Sequence, residues 1–136
     1  MLSNNQIQEI LEEIKLDPRV RAILLTGSYV YGHPTDESDL DVRVVTDPGT
    51  EWMEKYRIRF EHNIELFCNP AEKIRGYFDI NRREGKAHAI HFWTYGKIVY
   101  DPTGIAKELQ NEAAQLLKLG PYTGTWEESL KHGIRS

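Results

Sequence analysis

ILLTGSYVYGHPTDESDLDVRVVT, residues 23–46, holds two strands and the turn between them. The apolar run Ile23-Leu24-Leu25-Thr26 reads as a buried strand that stops at Gly27-Ser28. A short polar passage follows, with Gly32 and Pro34 as breakers. Asp39-Leu40-Asp41-Val42-Arg43-Val44-Val45 then alternates as a second strand. Side chains on a strand point to opposite faces in turn. Leu40, Val42 and Val44 therefore share a core face. Asp39 and Asp41 share the other, with Cα atoms roughly 7 Å apart.

Two like charges on one strand face repel and cost stability. A cation, a nearby Arg or Lys, or full solvation would answer the repulsion. Hard divalent cations are frequent partners of carboxylates that leave room for waters and phosphates. Gly27-Ser28 fits the same picture. Glycine lets a backbone approach a phosphate closely. Ser28 adds a hydroxyl, and a helix starting there would offer free N–H groups to an anion.

Gly27-Ser28, Tyr31-Gly32 and Ser38-Asp39-Leu40-Asp41 together resemble the glycine–serine and paired-aspartate motif of the DNA polymerase beta-like nucleotidyltransferase superfamily. The likeness is to its small stand-alone members, the minimal nucleotidyltransferase domains. It is strongest over residues 20–46 and extends more weakly to about residue 104. The resemblance implies a palm-like α/β (α+β) fold: a twisted mixed β-sheet of four or five strands with helices packed on one face. It implies a nucleoside triphosphate as substrate, ATP first, whose triphosphate contacts Gly27 and Ser28. It implies two Mg²⁺ ions, with Mn²⁺ as the alternative, held by Asp39 and Asp41. A third carboxylate on a neighbouring strand belongs to the pattern, and Ile64-Glu65-Leu66 supplies one. Glu65 would be a metal ligand or the base toward the acceptor hydroxyl. The bland alternative is a cross-strand salt bridge between Glu65 and Arg59. Glu61 is the fallback carboxylate.

The implied reaction transfers a nucleoside monophosphate, AMP first, to a hydroxyl acceptor with release of pyrophosphate. Small molecules, a partner protein's tyrosine and an RNA end are acceptors within the superfamily. Relatives often carry a helical domain or pair with a helical protein, so the acceptor half is expected from a partner or a homo-oligomer. The contrasting reading is a non-catalytic, antitoxin-like or regulatory module that binds nucleotide and protein.

The 136 residues suffice for one domain with a real core but not for two. A nucleotidyltransferase domain over 1–121 and a tail over 122–136 are expected. The formal charge of −4 argues against a nucleic-acid partner, because that affinity comes from neutralising phosphates. No apolar run approaches the ~18 residues of a membrane helix. The N-terminus lacks the pattern of a signal peptide. The single Cys68 excludes an internal disulfide and suggests a reducing, cytoplasmic setting.

Around the central stretch, Ser3 and Gln6 form a capping box ahead of Ile7, Ile10, Leu11 and Ile14 at helical spacing. That helix ends before Asp17-Pro18. Tyr56–Phe60 and Ile64–Cys68 alternate as strands. A three-residue loop, Glu61-His62-Asn63, would pair Phe60 with Ile64 and Arg59 with Glu65. It would put Ile58, Phe60, Ile64 and Leu66 on the core face with Leu24, Leu40, Val42 and Val44. Asn69 and Pro70 start a helix as N-cap and first residue. Residues 87–95 fit helix or strand. Lys97–Tyr100 is a short strand, and residues 103–119 form the last helix, stopped by Gly120-Pro121.

Several residues invite chemistry but read more simply as structure. His88 and His91 have a zinc-like spacing with no cysteine nearby. Arg82, Arg83 and Lys86 read as a solvated helix end. Trp93, Tyr95, Tyr29 and Tyr31 read as packing, and Cys68 as a small buried hydrophobe. Arg43 shares the aspartate face, where it would tune the metal site, bind phosphate or form an ion pair.

Overall fold

The computed structural model describes residues 1–126, and within them the side chains of 53–56 are set aside. The expected tail over 122–136 lies outside the described residues from 127 onward. Ten elements follow in order: α1 (Asn4–Lys15), β1 (Val20–Thr26), α2 (Ser28–Tyr31), β2 (Leu40–Thr46), β3 (Trp52–Arg59), β4 (His62–Pro70), α3 (Ala71–Glu84), α4 (His88–Tyr95), β5 (Lys97–Tyr100) and α5 (Ile105–Leu119). The strands form one mixed sheet in the order β3-β4-β2-β1-β5. Only β2 and β4 run parallel; the other neighbouring pairs are antiparallel.

The capping box is present as expected. The Gln6 N–H donates to Ser3 Oγ at 3.1 Å, and the Ser3 N–H donates to Gln6 Oε1 at 2.9 Å. The helix it starts lays Ile10, Leu11 and Ile14 on the sheet, in one cluster with Ile23, Leu25, Leu40, Val42, Val44, Ile64 and Leu66. Cys68 is buried in the same cluster, as its place on the strand predicts. A second cluster joins Ala22, Leu24 and Val45 to Ile74, Phe78, Ile90, Trp93 and Leu109. Successive strand residues point to opposite faces, so the two clusters lie on opposite sides of the sheet.

This corrects the expected placement of helices on one face. α1 covers one face, and α3, α4 and α5 cover part of the other. Leu24 accordingly belongs to the second core and not to the face of Leu40. Residues 87–95, ambiguous in sequence, form α4. The strand β4 runs on through Pro70, so Pro70, not Asn69, holds the N-cap of α3.

The β3–β4 hairpin differs most from expectation. Its loop has two residues, Phe60 and Glu61, with φ of 52° and 62°. Arg59 pairs with His62 and Ile58 with Asn63. Left-handed conformations at both loop residues match the twist of a two-residue hairpin. A register shift falls between Glu54 and Arg57 further along the strand. One consequence is that Ile58 is 62% exposed and leaves the core, while Phe60 packs against its margin.

Candidate active site

β2 is the middle strand of five, flanked by β1 and β4. Asp41 is paired across the sheet with Thr26 on β1 and with Glu65 on β4. The parallel register of β2 and β4 brings Asp41 and Glu65 side by side on the same face. Asp39 precedes β2 and Asp41 lies near its start, both half-buried. Asp41 and Glu65 therefore sit together at one end of the face opposite α1, and Asp39 is near enough to act electrostatically on Asp41. Among the described residues, no group of three or more His, Cys, Asp or Glu side chains is gathered closely enough to hold a metal ion by itself.

Gly27 meets this cluster from β1. Its φ of 83° and ψ of −164° belong to a region essentially reserved for glycine. A Cβ there would stand 2.5 Å from Asp41 Oδ2. The glycine thus makes room for the carboxylate. Ser28 begins α2, which spans only four residues and returns the N–H groups of Val30 and Tyr31 to the Gly27 carbonyl.

Behind Asp41 on the same strand face lies Arg43. Its Nε donates to Thr26 Oγ1 at 3.1 Å. Its guanidinium sits over the rings of Phe67 and Phe92, 4.5 and 3.9 Å from their centroids. Burial lowers its pKa to about 10, against the opposing pull of Asp41, Tyr31 and Glu65. Arg43 is therefore a charged group at neutral pH, deep beside the carboxylates. Asp41 is shifted the other way. Burial raises its pKa, Arg43 lowers it, and Asp39 raises it further. Tyr31 also turns toward this region. Its hydroxyl is buried with no hydrogen-bond partner among the described residues, and burial raises its pKa under the influence of Arg43 and Asp41.

Does this set suit the divalent ions that the motif implies? The donors are carboxylate oxygens, the ligand type that Mg²⁺ takes. Mg²⁺ is ordinarily held by one or two carboxylates together with waters and substrate phosphates, so a protein cage of three ligands is not required. The buried Tyr31 hydroxyl, unpartnered among the described residues, is a further polar group beside these oxygens. The residues fit the group.

The alternative salt bridge between Glu65 and Arg59 is excluded by the hairpin register. Arg59 lies on the α1 face and pairs with Glu13, its Nε 3.0 Å from Glu13 Oε2. Glu61 is exposed in the turn. His91 is fully buried with neither ring nitrogen bonded among the described residues, and burial lowers its pKa. His88 is exposed. Arg82 donates to the Gly120 carbonyl and stacks on Tyr122, and Arg83 pairs with Asp79, so two members of that basic run tie down a helix end. The sequence marks Tyr31 only as a packing residue and gives no sign of the aromatic clamp on Arg43 as a whole. The period-two placement of Phe67 after Glu65 was the available signal for half of that clamp; Phe92 lies too far along the chain to be inferred.

The chain and its fold have counterparts among known proteins. A family model for the nucleotidyltransferase domain matches residues 5–112. No match was found among curated proteins. Among solved structures, a nucleotidyltransferase-like protein from Exiguobacterium sibiricum superposes with a TM-score of 0.60 at 17% identity, covering 81% of this chain and 38% of that one. The chain thus spans well under half the length of that relative. A toxin–antitoxin structure with AMP-PNP gives a TM-score of 0.48 at 17% identity, covering 87% of this chain and 89% of that one. The protein belongs to the nucleotidyltransferase domain family.

Proposed function

We propose that the chain transfers a nucleoside monophosphate, AMP in the first instance, from a nucleoside triphosphate to a hydroxyl acceptor. The observation that carries this reading is the convergence of Gly27, Asp41 and Glu65 from three adjacent strands, within a family-typical domain. Asp39 and Asp41 would hold divalent metal, Mg²⁺ or Mn²⁺, with Glu65 as a third ligand or as the base. Bound there, the metal would neutralise phosphate charge and stabilise the oxygen leaving the α-phosphorus.

The chain's own residues account for the rest. Gly27 leaves the backbone open to the triphosphate, and Ser28 offers a hydroxyl beside it. Burial and Asp39 raise the pKa of Asp41, so that carboxylate favours a site where a cation replaces its proton. Arg43 supplies a fixed positive charge behind it, held in place by Thr26 and the two phenylalanine rings. Glu65 lies beside Asp41 on the strand away from Gly27, where it can take the proton of an incoming hydroxyl.

Incubation with Mg²⁺ and ATP labelled at the α- or the γ-phosphate, against small-molecule and protein fractions of a lysate, tests the reaction class. Nucleotidyl transfer puts α-label on an acceptor and γ-label only in pyrophosphate. Transfer of γ-label to the acceptor would identify a kinase and overturn the reading.

A further inference from the structure

A cleft of about 560 Å³ opens on the carboxylate side of the sheet, lined by Arg43, Glu51, Phe67, Asn69, Lys73 and Tyr77. Its floor is β2 and β4, and α3 forms one wall. The volume is that of a small-molecule site. Arg43 is the half-buried cation at its base. Nε is committed to Thr26, and among the described residues the terminal nitrogens have no hydrogen-bond partner. They are not fully buried, and they open toward the cleft that Arg43 lines. Lys73 adds a second, exposed cation at the rim, and Phe67 and Tyr77 supply ring surface. Glu51 is the one carboxylate in the lining.

The position of the cleft matters as much as its lining. In-line displacement at phosphorus places the incoming oxygen opposite the leaving one. Gly27 and Ser28, the pyrophosphate side in the reading above, follow β1. The cleft lies across β2 from them, over β4 and toward β3. An acceptor seated in it approaches from the Glu65 side. We infer that this cleft is the acceptor site, and that it takes a small anionic hydroxy compound with a flat, unsaturated body. Its anionic group meets Arg43 and Lys73, its body packs on Phe67 and Tyr77, and its hydroxyl points toward Glu65. The acceptor oxygen then forms a bond to the α-phosphorus and its proton passes to the Glu65 carboxylate. The bond from the α-phosphorus to the bridging oxygen breaks, and pyrophosphate leaves with the electron pair. The inference rests on the nucleotidyl-transfer reading.

The test is calorimetric titration of the full chain with para-hydroxybenzoate, para-hydroxybenzyl alcohol and tyramine, each with and without saturating Mg²⁺ and ATP. These probes share a phenolic hydroxyl and differ in charge. Para-hydroxybenzoate should bind tightest and should not be displaced by the nucleotide. Lys73→Glu, at an exposed position, should weaken it by about tenfold, the effect of reversing one charge at the rim of a charged site. Tyr77→Ala should weaken all three probes. Equal or tighter binding of tyramine, displacement by the nucleotide, or indifference to Lys73→Glu would overturn the proposal. If the nucleotide binds and para-hydroxybenzoate does not, the cleft assignment alone falls. If para-hydroxybenzoate binds and the nucleotide does not, the acceptor role falls together with the reading beneath it.

Discussion

On the α1 side of the sheet, Leu40, Val42, Val44, Ile64 and Leu66 are at most 1% exposed and form one apolar cluster with the helix. On the other side, the residues between them are Asp41, Arg43, Glu65 and Phe67, each half-buried. The same two strands, in the same register, build both. One face carries stability, because apolar area leaves water there with little polar cost. The other holds partly desolvated charges, where burial raises the pKa of Asp41 and lowers that of Arg43. The division teaches that substitutions one position apart on β2 or β4 should fail in different ways.

The sharpest way to test that division is to remove the charges on one face. Asp39→Asn/Asp41→Asn should lower nucleotidyl transfer by at least about a thousandfold, the scale of losing oriented electrostatic groups at a reacting phosphate. Its urea midpoint should be unchanged or higher, since the repulsion between the pair is gone. Next to it in size is the mirror experiment. Leu66→Ala should cost about 2–5 kcal/mol in urea unfolding. Turnover per folded molecule should stay close to the parent value.

Gly27→Ala probes the seam between the two faces. Its backbone region should cost about 1–3 kcal/mol of stability. The added Cβ also meets Asp41 Oδ2, so metal-dependent nucleotide binding should weaken as well. A variant with full binding and lost stability would place Gly27 outside the site.

Asp41 gives a smaller, pH-dependent effect. Its folded pKa is raised above the unfolded value. Between the two values the folded state binds more protons than the unfolded state. Stability of the metal-free protein should therefore fall as pH rises through that window, and be lowest above the folded pKa. Mg²⁺–nucleotide binding should move oppositely, weakening as pH falls and the carboxylate takes up its proton. Urea unfolding from about pH 4 to 7, spanning the ordinary carboxylate range and above, should show a shallower slope for Asp41→Asn. The smallest expected effect lies far from the sheet. Arg75 bridges α3 to Glu108 and Glu112 on α5, at 3.0 and 2.8 Å. Arg75→Ala should cost less than about 1 kcal/mol, as partly exposed pairs do, and leave catalysis intact.

Much of this was legible in the chain itself. Alternation on β2 separates Leu40, Val42 and Val44 from Asp41 in the sequence alone, and the capping box places α1. The parts that were not legible depend on long-range geometry. Phe60-Glu61 carries no glycine or asparagine to announce a two-residue turn, so the sequence alone does not show the hairpin register that takes Ile58 out of the core. Leu24 and Ile23 are both apolar, and only the packing of α3, α4 and α5 on the second face separates them. The clamp on Arg43 joins β4 to α4, and the Tyr31 hydroxyl reaches the site through the bend at Gly27. Periodicity along one strand contains neither relation.

The most direct measurement is calorimetric titration of ATP with and without Mg²⁺, on the parent protein and on Asp39→Asn/Asp41→Asn. The account predicts binding that requires the metal and disappears in the folded double variant. Binding that is indifferent to Mg²⁺, or that survives loss of both carboxylates, would contradict it.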